Sequence, residues 1–330
     1  MSEMTHRKRM EICLSGNITD RPPVALWRHF PVDDQKPETL ASAITNFQNT
    51  YDFDFIKVTP ASSYCIKDWG VTDIWRGNPE GTRDYQEPVI KNFEDWEKLK
   101  VLNPRKGHLG QMLDCLKLLI KEYSQTTPII QTIFSPLSQA KNLIGKDSFL
   151  FHLRANPEAV KKGLEIITQT TLAFMEELKK IGIDGIFYAV QHAQYNILSI
   201  AEFQTFGRNY DLQILEAAKS FWLNVGHIHG ENIMFDQVKD YPVQVLNWHD
   251  RQTSPSLSEA QNQFNGIVCG GLKQWDTMVL GTPESVLQEA KDAIDQTSGK
   301  RFILGTGCVV PVTAPYGNIL AARRAVEMQK

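Results

Sequence analysis

The chain has 330 residues, a net charge of −3 and five cysteines, with 42% hydrophobic and 22% charged residues. This composition excludes a fibrous or disordered class, and no apolar run is long enough to span a membrane. We expect a cytoplasmic protein, because the first residues lack the apolar core of a signal peptide and the few, widely spaced cysteines suit a reducing compartment. The weak net charge gives no sign of a partner such as nucleic acid or anionic lipid.

Short β-rich runs and helical patterns alternate along the chain. Several of the β-rich runs are apolar on both alternations, as strands buried on both faces should be. The clearest helical pattern begins at Asn156, with Pro157 in its first position, and ends at Gly182. We predict eight strands, at 23–27, 54–59, 129–134, 185–189, 222–228, 243–248, 266–270 and 302–305.

This alternation predicts an α/β fold with a parallel sheet. Eight strands in one chain of this length favour a closed (β/α)₈ TIM barrel over 1–330 as a single domain. The alternative is an open sheet with an appended region. No glycine-rich phosphate-binding motif follows the first strand, which disfavours the nucleotide-binding form of that alternative.

One insertion follows the second predicted strand. Residues 62–93 contain Asn-Pro and Glu-Gly turn signals between alternating segments, so we expect a hairpin there. In a barrel this insertion would lie at the carboxyl-terminal mouth and could cover a site. It could equally be a peripheral decoration.

Histidines collect where the predicted strands end. Of the eight histidines in the chain, five lie at the ends of predicted strands: His29, His192, His227, His229 and His249. In a barrel the chemistry takes place at these carboxyl ends. The clustering therefore predicts a functional site at the mouth.

The sharpest motif is His227-x-His229. Residues two apart on a strand point to the same face, so both imidazoles can reach one cation. Cys308 ends the last predicted strand, and a thiolate with two imidazoles would leave a tetrahedral zinc ion one open position. The alternative is a hydrogen-bonded histidine pair in the core.

Other strand ends offer catalytic candidates. Arg28 could clamp a carboxylate, or it could form a surface ion pair. His192 and His249 could act as general acid or base near neutral pH, or serve only the structure. Asp250 could orient a histidine or a ligand, or cap the next helix.

Six segments in this order resemble the uroporphyrinogen decarboxylase superfamily, over about residues 5 to 327. They are MTHRKRMEICLSGNITDRPPVALWRHF, YDFDFIKVTPASSY, VQHA, NVGHIHGENI with YPVQVLNWHD, GGLKQWDTMVLGTPESV and GTGCVVPVTAPYGNILAARRAV. The resemblance implies a (β/α)₈ barrel.

The superfamily has two main branches, and this sequence departs from the true decarboxylases at three places. Their motif after strand 1 resembles RQAGR, whereas RHFPV here keeps only the first arginine, Arg28. Their aspartate after strand 2 has no counterpart in VTPASSY, and their histidine in the last strand is replaced by Cys308. These departures count against decarboxylation of a tetrapyrrole.

The sequence is more similar to the second branch, the cobamide-dependent methyltransferases. Their zinc motif looks like HxC followed by a distant cysteine, and here His227, His229 and Cys308 stand at those places. The resemblance implies a zinc-dependent methyltransferase that works with a corrinoid on a partner protein, with Arg28 or His29 holding the anionic end of a small acceptor. The alternatives are a decarboxylase, with Arg28 on a propionate and His192 delivering a proton, and a barrel that binds a small molecule without turnover.

Overall fold

The computed structural model describes residues 4–327. Its main feature is a sheet of seven parallel strands in the order β1-β4-β5-β6-β7-β8-β9, with a separate pair formed by β2 and β3. The strands are β1 Ile56–Val58, β2 Asp73–Ile74, β3 Asp84–Tyr85, β4 Ile129–Phe134, β5 Gly185–Val190, β6 Val225–Ile228, β7 Val245–Trp248, β8 Ile267–Leu272 and β9 Phe302–Thr306.

Helices connect the parallel strands. The longest, α6, begins after Asn156, whose side chain accepts a hydrogen bond from the backbone NH of Ala159, and it ends at Gly182 in a left-handed conformation. The helices are α1 His6–Leu14, α2 Pro37–Tyr51, α3 Gly107–Tyr123, α4 Pro136–Ile144, α5 Lys146–Ala155, α6 Pro157–Ile181, α7 Ile200–Phe203, α8 Asn209–Ala218, α9 Phe235–Val238, α10 Leu257–Gln261, α11 Pro283–Thr297 and α12 Tyr316–Ala325. Short 3₁₀ helices lie at Asp33–Gln35, Lys67–Trp69 and Phe93–Lys98, and a π-helical turn at Gln204–Arg208 joins α7 to α8.

The seven parallel strands are buried along their whole length. This burial confirms the interpretation of their apolar runs as strands covered on both faces. Because the strands are parallel, their carboxyl ends all lie at the same edge of the sheet, which is where the predicted site residues stand.

The first predicted strand, 23–27, is not a strand of this sheet. It makes one isolated parallel bridge, between Val24 and Leu304 of β9. Pro22 and Pro23 provide no backbone NH, so a regular ladder cannot form at its start. Two hydrogen bonds join it to β9, from Leu304 N to Pro23 O at 2.9 Å and from Ala25 N to Leu304 O at 3.0 Å. On its other side Asp54 N donates to Val24 O at 2.9 Å, just before β1.

The predicted hairpin in the insertion is present. Strands β2 and β3 pair antiparallel, with Asp73 opposite Tyr85. Arg83 ties the hairpin together, because its Nε donates to Asp73 Oδ1 at 2.5 Å.

Helix α1 packs against the amino-terminal side of the sheet. Arg7 binds Asp184, the residue before β5, through two hydrogen bonds of 2.6 and 3.0 Å. Arg9 and Arg21 both bind the buried Asp54, just ahead of β1. Within residues 4–327, no helix combines the length and the apolar character that a membrane span requires.

Candidate metal centre

His227, His229 and Cys308 meet at the carboxyl edge of the sheet. One ligand atom from each side chain lies within 4.8 Å of the others. His229 Nδ1 lies 3.7 Å from Cys308 Sγ, and the imidazole centroids of His227 and His229 are 5.7 Å apart. His227 is the last residue but one of β6, His229 directly follows that strand, and Cys308 lies just after β9. Strands far apart in sequence therefore provide the candidate ligands.

Gly307 allows the Cys308 loop to approach the neighbouring strand end. A Cβ atom at this position would lie 2.6 Å from the Cα atom of His249, which is too close for any other residue. The close approach of the two loops therefore requires glycine at position 307, directly before Cys308.

Asn247 determines which nitrogen of His227 is free. The two residues are register partners on β6 and β7, and His227 Nδ1 lies 2.7 Å from Asn247 Oδ1. The amide Nδ2 of Asn247 donates to the carbonyl oxygens of Cys269 and Thr306, at 2.9 and 3.0 Å. Because both amide hydrogens are used there, Oδ1 must accept, and His227 Nδ1 must carry the proton. The lone pair of His227 is therefore on Nε2.

The electrostatics of the cluster suit a metal ion. Burial, reinforced by the neighbouring imidazoles His229 and His249, holds the pKa of His227 well below its usual range. Burial also lowers the pKa of His229. Both rings are therefore neutral at neutral pH, the form in which imidazole binds metals. Two neutral imidazoles and one thiol are a donor set that fits zinc.

His249 belongs to the same cluster. Its ring centroid lies 5.3 Å from that of His229 and 6.3 Å from that of His227. Its Nδ1 lies 3.0 Å from Gln252 Oε1, whereas its Nε2 is buried and has no hydrogen-bond partner within the described residues. An unpartnered nitrogen beside three ligand atoms can exchange a proton with a bound molecule.

The structure places His192 and His29 in buried positions. Burial lowers the pKa of each to about 3, so both are neutral at neutral pH. His192 Nδ1 lies 3.4 Å from the hydroxyl of Ser138, and its ring packs 5.0 Å from that of Phe149. His29 Nδ1 has no partner among residues 4–327.

Arg28 and Asp250 make contacts away from the three ligands. The Arg28 guanidinium lies 5.5 Å from the Phe30 ring, in a cavity of about 20 Å³ that residues of α2 also line, among them Phe47. The Asp250 carboxylate accepts a hydrogen bond from Gly271 N at 3.0 Å. Burial raises the pKa of Asp250 to about 7. No hydrogen bond joins either side chain to the cluster in the described part of the chain.

The tip of the hairpin reaches this region. Pro79 O accepts a hydrogen bond from Val312 N at 2.7 Å, and Glu80 Oε1 accepts one from Gln274 Nε2 at 3.0 Å. The Glu80 carboxylate also counteracts the lowering of the His229 pKa by burial. Gln274 follows β8 and Val312 follows β9, so the tip of the insertion lies at the carboxyl edge of the sheet, as expected.

Sequence reasoning missed two residues of this region. Asn247 lies inside a buried apolar strand, and so does Lys57 on β1. Neither belongs to a spaced motif. The one feature of the sequence that could have indicated them is a polar residue inside a strand that is otherwise apolar on both faces.

Comparison of the sequence with known proteins identifies the family of this chain. The model of the family described as "Uroporphyrinogen decarboxylase (URO-D)" matches residues 5–328. The chain is similar to "Methylcobamide:CoM methyltransferase MtbA" of Methanosarcina acetivorans, with 25% identity over 97% of this chain and 96% of that protein. It is also similar to "Uroporphyrinogen decarboxylase" of Campylobacter jejuni, with 32% identity over 41% of each chain.

A solved structure has a similar fold. A "methyltransferase from Methanosarcina mazei" superposes with a TM-score of 0.87, covering 99% of each chain at 16% identity. This likeness shows the fold, and the family match extends over nearly the whole sequence. The chain therefore belongs to the uroporphyrinogen decarboxylase family.

Proposed function

We propose that this protein is a zinc-dependent methyltransferase that takes a methyl group from a corrinoid on a partner protein and passes it to a small acceptor. The observation that carries the proposal is the meeting of His227, His229 and Cys308 within 4.8 Å. The names of the relatives that match nearly the whole chain, methylcobamide:CoM methyltransferases, support the corrinoid and the reaction class.

Each residue of the cluster would have a separate role in the reaction. Zinc held by His227, His229 and Cys308 would keep an acceptor thiol in its nucleophilic thiolate form at neutral pH. Asn247 holds the His227 ring with Nε2 free to bind. His249 Nε2, unpartnered among the described residues, takes the proton that the acceptor thiol gives up. A corrinoid on the partner protein would supply the methyl group, which would pass to the acceptor sulfur while the electron pair of the carbon–cobalt bond would remain on cobalt.

The other predicted catalytic residues have supporting positions in this proposal. His29 Nδ1 lies under the hairpin tip without a hydrogen-bond partner among residues 4–327, and it offers a hydrogen bond to the acceptor. His192 is neutral and shapes the wall of the site, while Asp250 fixes the loop after β7. Arg28 remains a candidate for a carboxylate only if its side chain turns away from Phe30.

We also propose that the sheet closes into an eight-stranded barrel that makes 1–330 a single domain. Segment 23–27 would be the eighth strand, supported by its hydrogen bonds to β9 on one side and from Asp54 on the other. We place the protein in the cytoplasm, in keeping with five free cysteines.

Methyl transfer can be measured directly with methylcobalamin as donor and a small thiol as acceptor. The zinc-loaded protein should remove the methyl group from cobalt, seen in the visible spectrum, and form the methyl thioether, seen by mass spectrometry. Cys308→Ser should reduce the rate by at least about a hundredfold, since it removes the thiolate ligand. Cys115→Ala, a change at a buried cysteine in α3, should not.

Equal rates in wild type and Cys308→Ser would contradict the proposal. So would release of carbon dioxide from uroporphyrinogen without any methyl transfer, a result that would favour the decarboxylase alternative.

A further inference from the structure

The hairpin of β2 and β3 is attached to the rest of the protein mainly by polar contacts. Its two strands have two residues each, and Gly81 is the only fully buried residue of the range 72–87. The buried apolar residues on either side, Val71 and Ile90, lie outside that range. Segments with little buried apolar surface open locally at a lower free energy than the core of a domain. The hairpin can therefore move while the sheet stays folded.

The tip of the hairpin is bound to two loops beside the metal centre. Glu80 accepts its hydrogen bond from Gln274, which follows β8, and Pro79 accepts one from Val312, which follows β9. Cys308 lies on the same loop as Val312. Two hydrogen bonds therefore hold the tip at the edge of the sheet from which a ligand would approach the thiol.

A buried latch lies nearer the base of the hairpin. Arg83 Nε donates to Asp73 within the hairpin, and Arg83 Nη1 lies 3.6 Å from Oδ1 of Asp34, in the turn Asp33–Gln35. Lys67 Nζ lies 3.6 Å from Asp73 Oδ1. The side chains of Asp34 and Asp73 are both 0% exposed. These two carboxylates and two cations form the latch, and they join the hairpin to the chain on either side of it.

The latch is closed, but its hydrogen bonds are incomplete. Oδ2 of Asp34 and Oδ2 of Asp73 have no partner among residues 4–327, and the two ion pairs of 3.6 Å are too long for hydrogen bonds. Burial raises the pKa of Asp34. A buried charged oxygen without a partner is unfavourable, and opening would expose it to water. The groups that hold the hairpin closed therefore also favour its opening.

The loop that carries Asp34 is strained in the same state. Val32 has a φ of +79° and a ψ of −54°, a conformation that a β-branched residue rarely adopts. Its side chain is 66% exposed, so packing does not impose this conformation. The neighbouring turn does, through contacts such as the hydrogen bond of 2.9 Å from Asp34 N to Phe30 O. Strain of this kind is found at segments that change conformation.

We propose that the hairpin is a lid at the metal centre and that Arg83 holds it closed by binding Asp34. While the lid is closed, small molecules reach the partly exposed Cys308, and bulky ones do not. When the latch opens, the hairpin turns about its base, where the Tyr85 hydroxyl accepts a hydrogen bond of 3.1 Å from Asn142. The identity of the bulky ligand rests on the proposed function, in which a corrinoid macrocycle has to approach the acceptor.

The test measures how access to Cys308 depends on the size of a reagent. Chelator-treated protein reacts with iodoacetamide or with iodoacetamidofluorescein, which carry the same reactive group and differ in bulk. Mass spectrometry follows alkylation of the Cys308 peptide, and each rate is divided by the rate of that reagent with glutathione. Because the thiol is the same in both reactions, the ratio of the two normalised rates reports access alone. In wild type the small reagent should react at least about tenfold faster.

Two variants open the latch and a third serves as the matched control. Arg83→Met should bring the ratio to within about threefold of unity, because the bulky reagent gains most from opening. Asp34→Ala should do the same, although it leaves the contact between Arg83 and Asp73 in place. Arg76 lies on the same hairpin, and its ion pair of 3.6 Å with Asp84 is exposed. Arg76→Met should keep the wild-type ratio, since exposed ion pairs contribute little.

A wild-type ratio near unity would overturn the lid, and this result needs no variant to fold. An unchanged ratio in both Arg83→Met and Asp34→Ala would overturn the latch, and so would an equal change in Arg76→Met. Cys115, buried in α3, should stay unreactive in every variant. Its alkylation together with Cys308 in both latch variants would show global unfolding and would also count against the inference.

The lid and the proposed function can fail separately, because the alkylation assay contains no zinc, methyl donor or acceptor. If access depends on size and on Arg83 but no methyl transfer occurs, the proposed function is wrong and the lid stands. If methyl transfer occurs and access does not depend on size, the lid is wrong and the proposed function stands.

Discussion

The amide side chain of Asn247 determines the orientation and the tautomer of the His227 imidazole. Asn247 uses both of its amide hydrogens on the carbonyl oxygens of Cys269 and Thr306, so its oxygen faces the His227 ring. This arrangement orients the imidazole before any metal arrives, and it holds the proton on Nδ1. Histidine ligands in metal sites commonly depend on such a partner for both ring orientation and basicity.

Replacing Asn247 by Leu should weaken zinc binding by about ten to a hundredfold, because the ring loses its fixed orientation. Competition with a chromogenic chelator measures the affinity. Asn224→Leu is the matched control, since Asn224 is a buried, hydrogen-bonded asparagine directly before β6, at the other edge of the sheet. An unchanged zinc affinity in Asn247→Leu would show that the amide has no role in the site.

The sequence predicted the three side chains of the candidate metal centre, but not the Asn247 amide that orients one of them. His227, His229 and Cys308 could be found because metal chemistry demands particular side chains and same-face spacing. Asn247 acts through contacts between strands, and such contacts depend on a register that a single sequence does not reveal.

At the scale of elements, the tip of the hairpin of β2 and β3 lies against His29. Gly81 at its tip has a φ of +79°, and a Cβ atom there would lie 2.5 Å from the Cβ atom of His29. The tip can therefore lie on His29 only because this residue is glycine. Of the five cysteines, Cys308 is the one that is partly exposed, so its reactivity reports on the position of the tip.

Gly81→Ala should push the tip away from His29 and raise the rate at which iodoacetamide alkylates Cys308 by about threefold or more, since reaction depends on access. Mass spectrometry of the alkylated peptide measures the rate. Gly77→Ala carries similar backbone strain, at a φ of +83°, but its new Cβ would meet no atom within 4 Å. Identical alkylation rates in the two variants would mean that the tip does not shield the thiol.

Seven of the eight predicted strands are present in the sheet, and the failure of the eighth has a physical reason. The seven were predicted correctly because a strand of a parallel sheet is buried on both faces and is therefore apolar along its whole length. The run 23–27 has the same apolar pattern, yet it forms only the bridge at Val24. Apolar pattern reports burial, whereas the ladder also needs NH groups, which Pro22 and Pro23 lack.

At the scale of the whole molecule, the carboxyl and amino edges of the sheet carry different groups of residues. The carboxyl end holds the candidate metal centre, and the amino end holds a network of buried ion pairs centred on Asp54. His6 joins that network through hydrogen bonds of 2.9 Å to Asp54 and 2.7 Å to Asp52. The network fastens α1 to the sheet, so we expect it to affect stability rather than chemistry.

Stability should therefore fall at alkaline pH. Burial lowers the pKa of His6, but hydrogen bonds to Asp52 and Asp54 outweigh it and raise the value from 6.5 to about 9. Because the folded-state pKa is the higher one, the stabilisation is complete below about 6.5 and is lost as the pH rises through about 9. Urea unfolding at pH 6 and pH 9.5 should show a loss of roughly 2 kcal/mol in wild type, after allowance for solvent screening.

The same measurement on His6→Gln separates this effect from other titrations. The variant should be less stable than wild type at pH 6 and nearly equal to it at pH 9.5. A constant difference between the two proteins across this range would show that His6 does not carry the predicted charge.

The central claim is that His227, His229 and Cys308 bind one zinc ion, and calorimetric zinc titration tests it most directly. Wild type should bind one zinc ion per chain with release of a proton, because the thiol must ionise to bind. Cys308→Ser should bind at least about a hundredfold more weakly and without that proton, while Cys115→Ala should match wild type. Equal zinc affinity in wild type and Cys308→Ser would contradict the account.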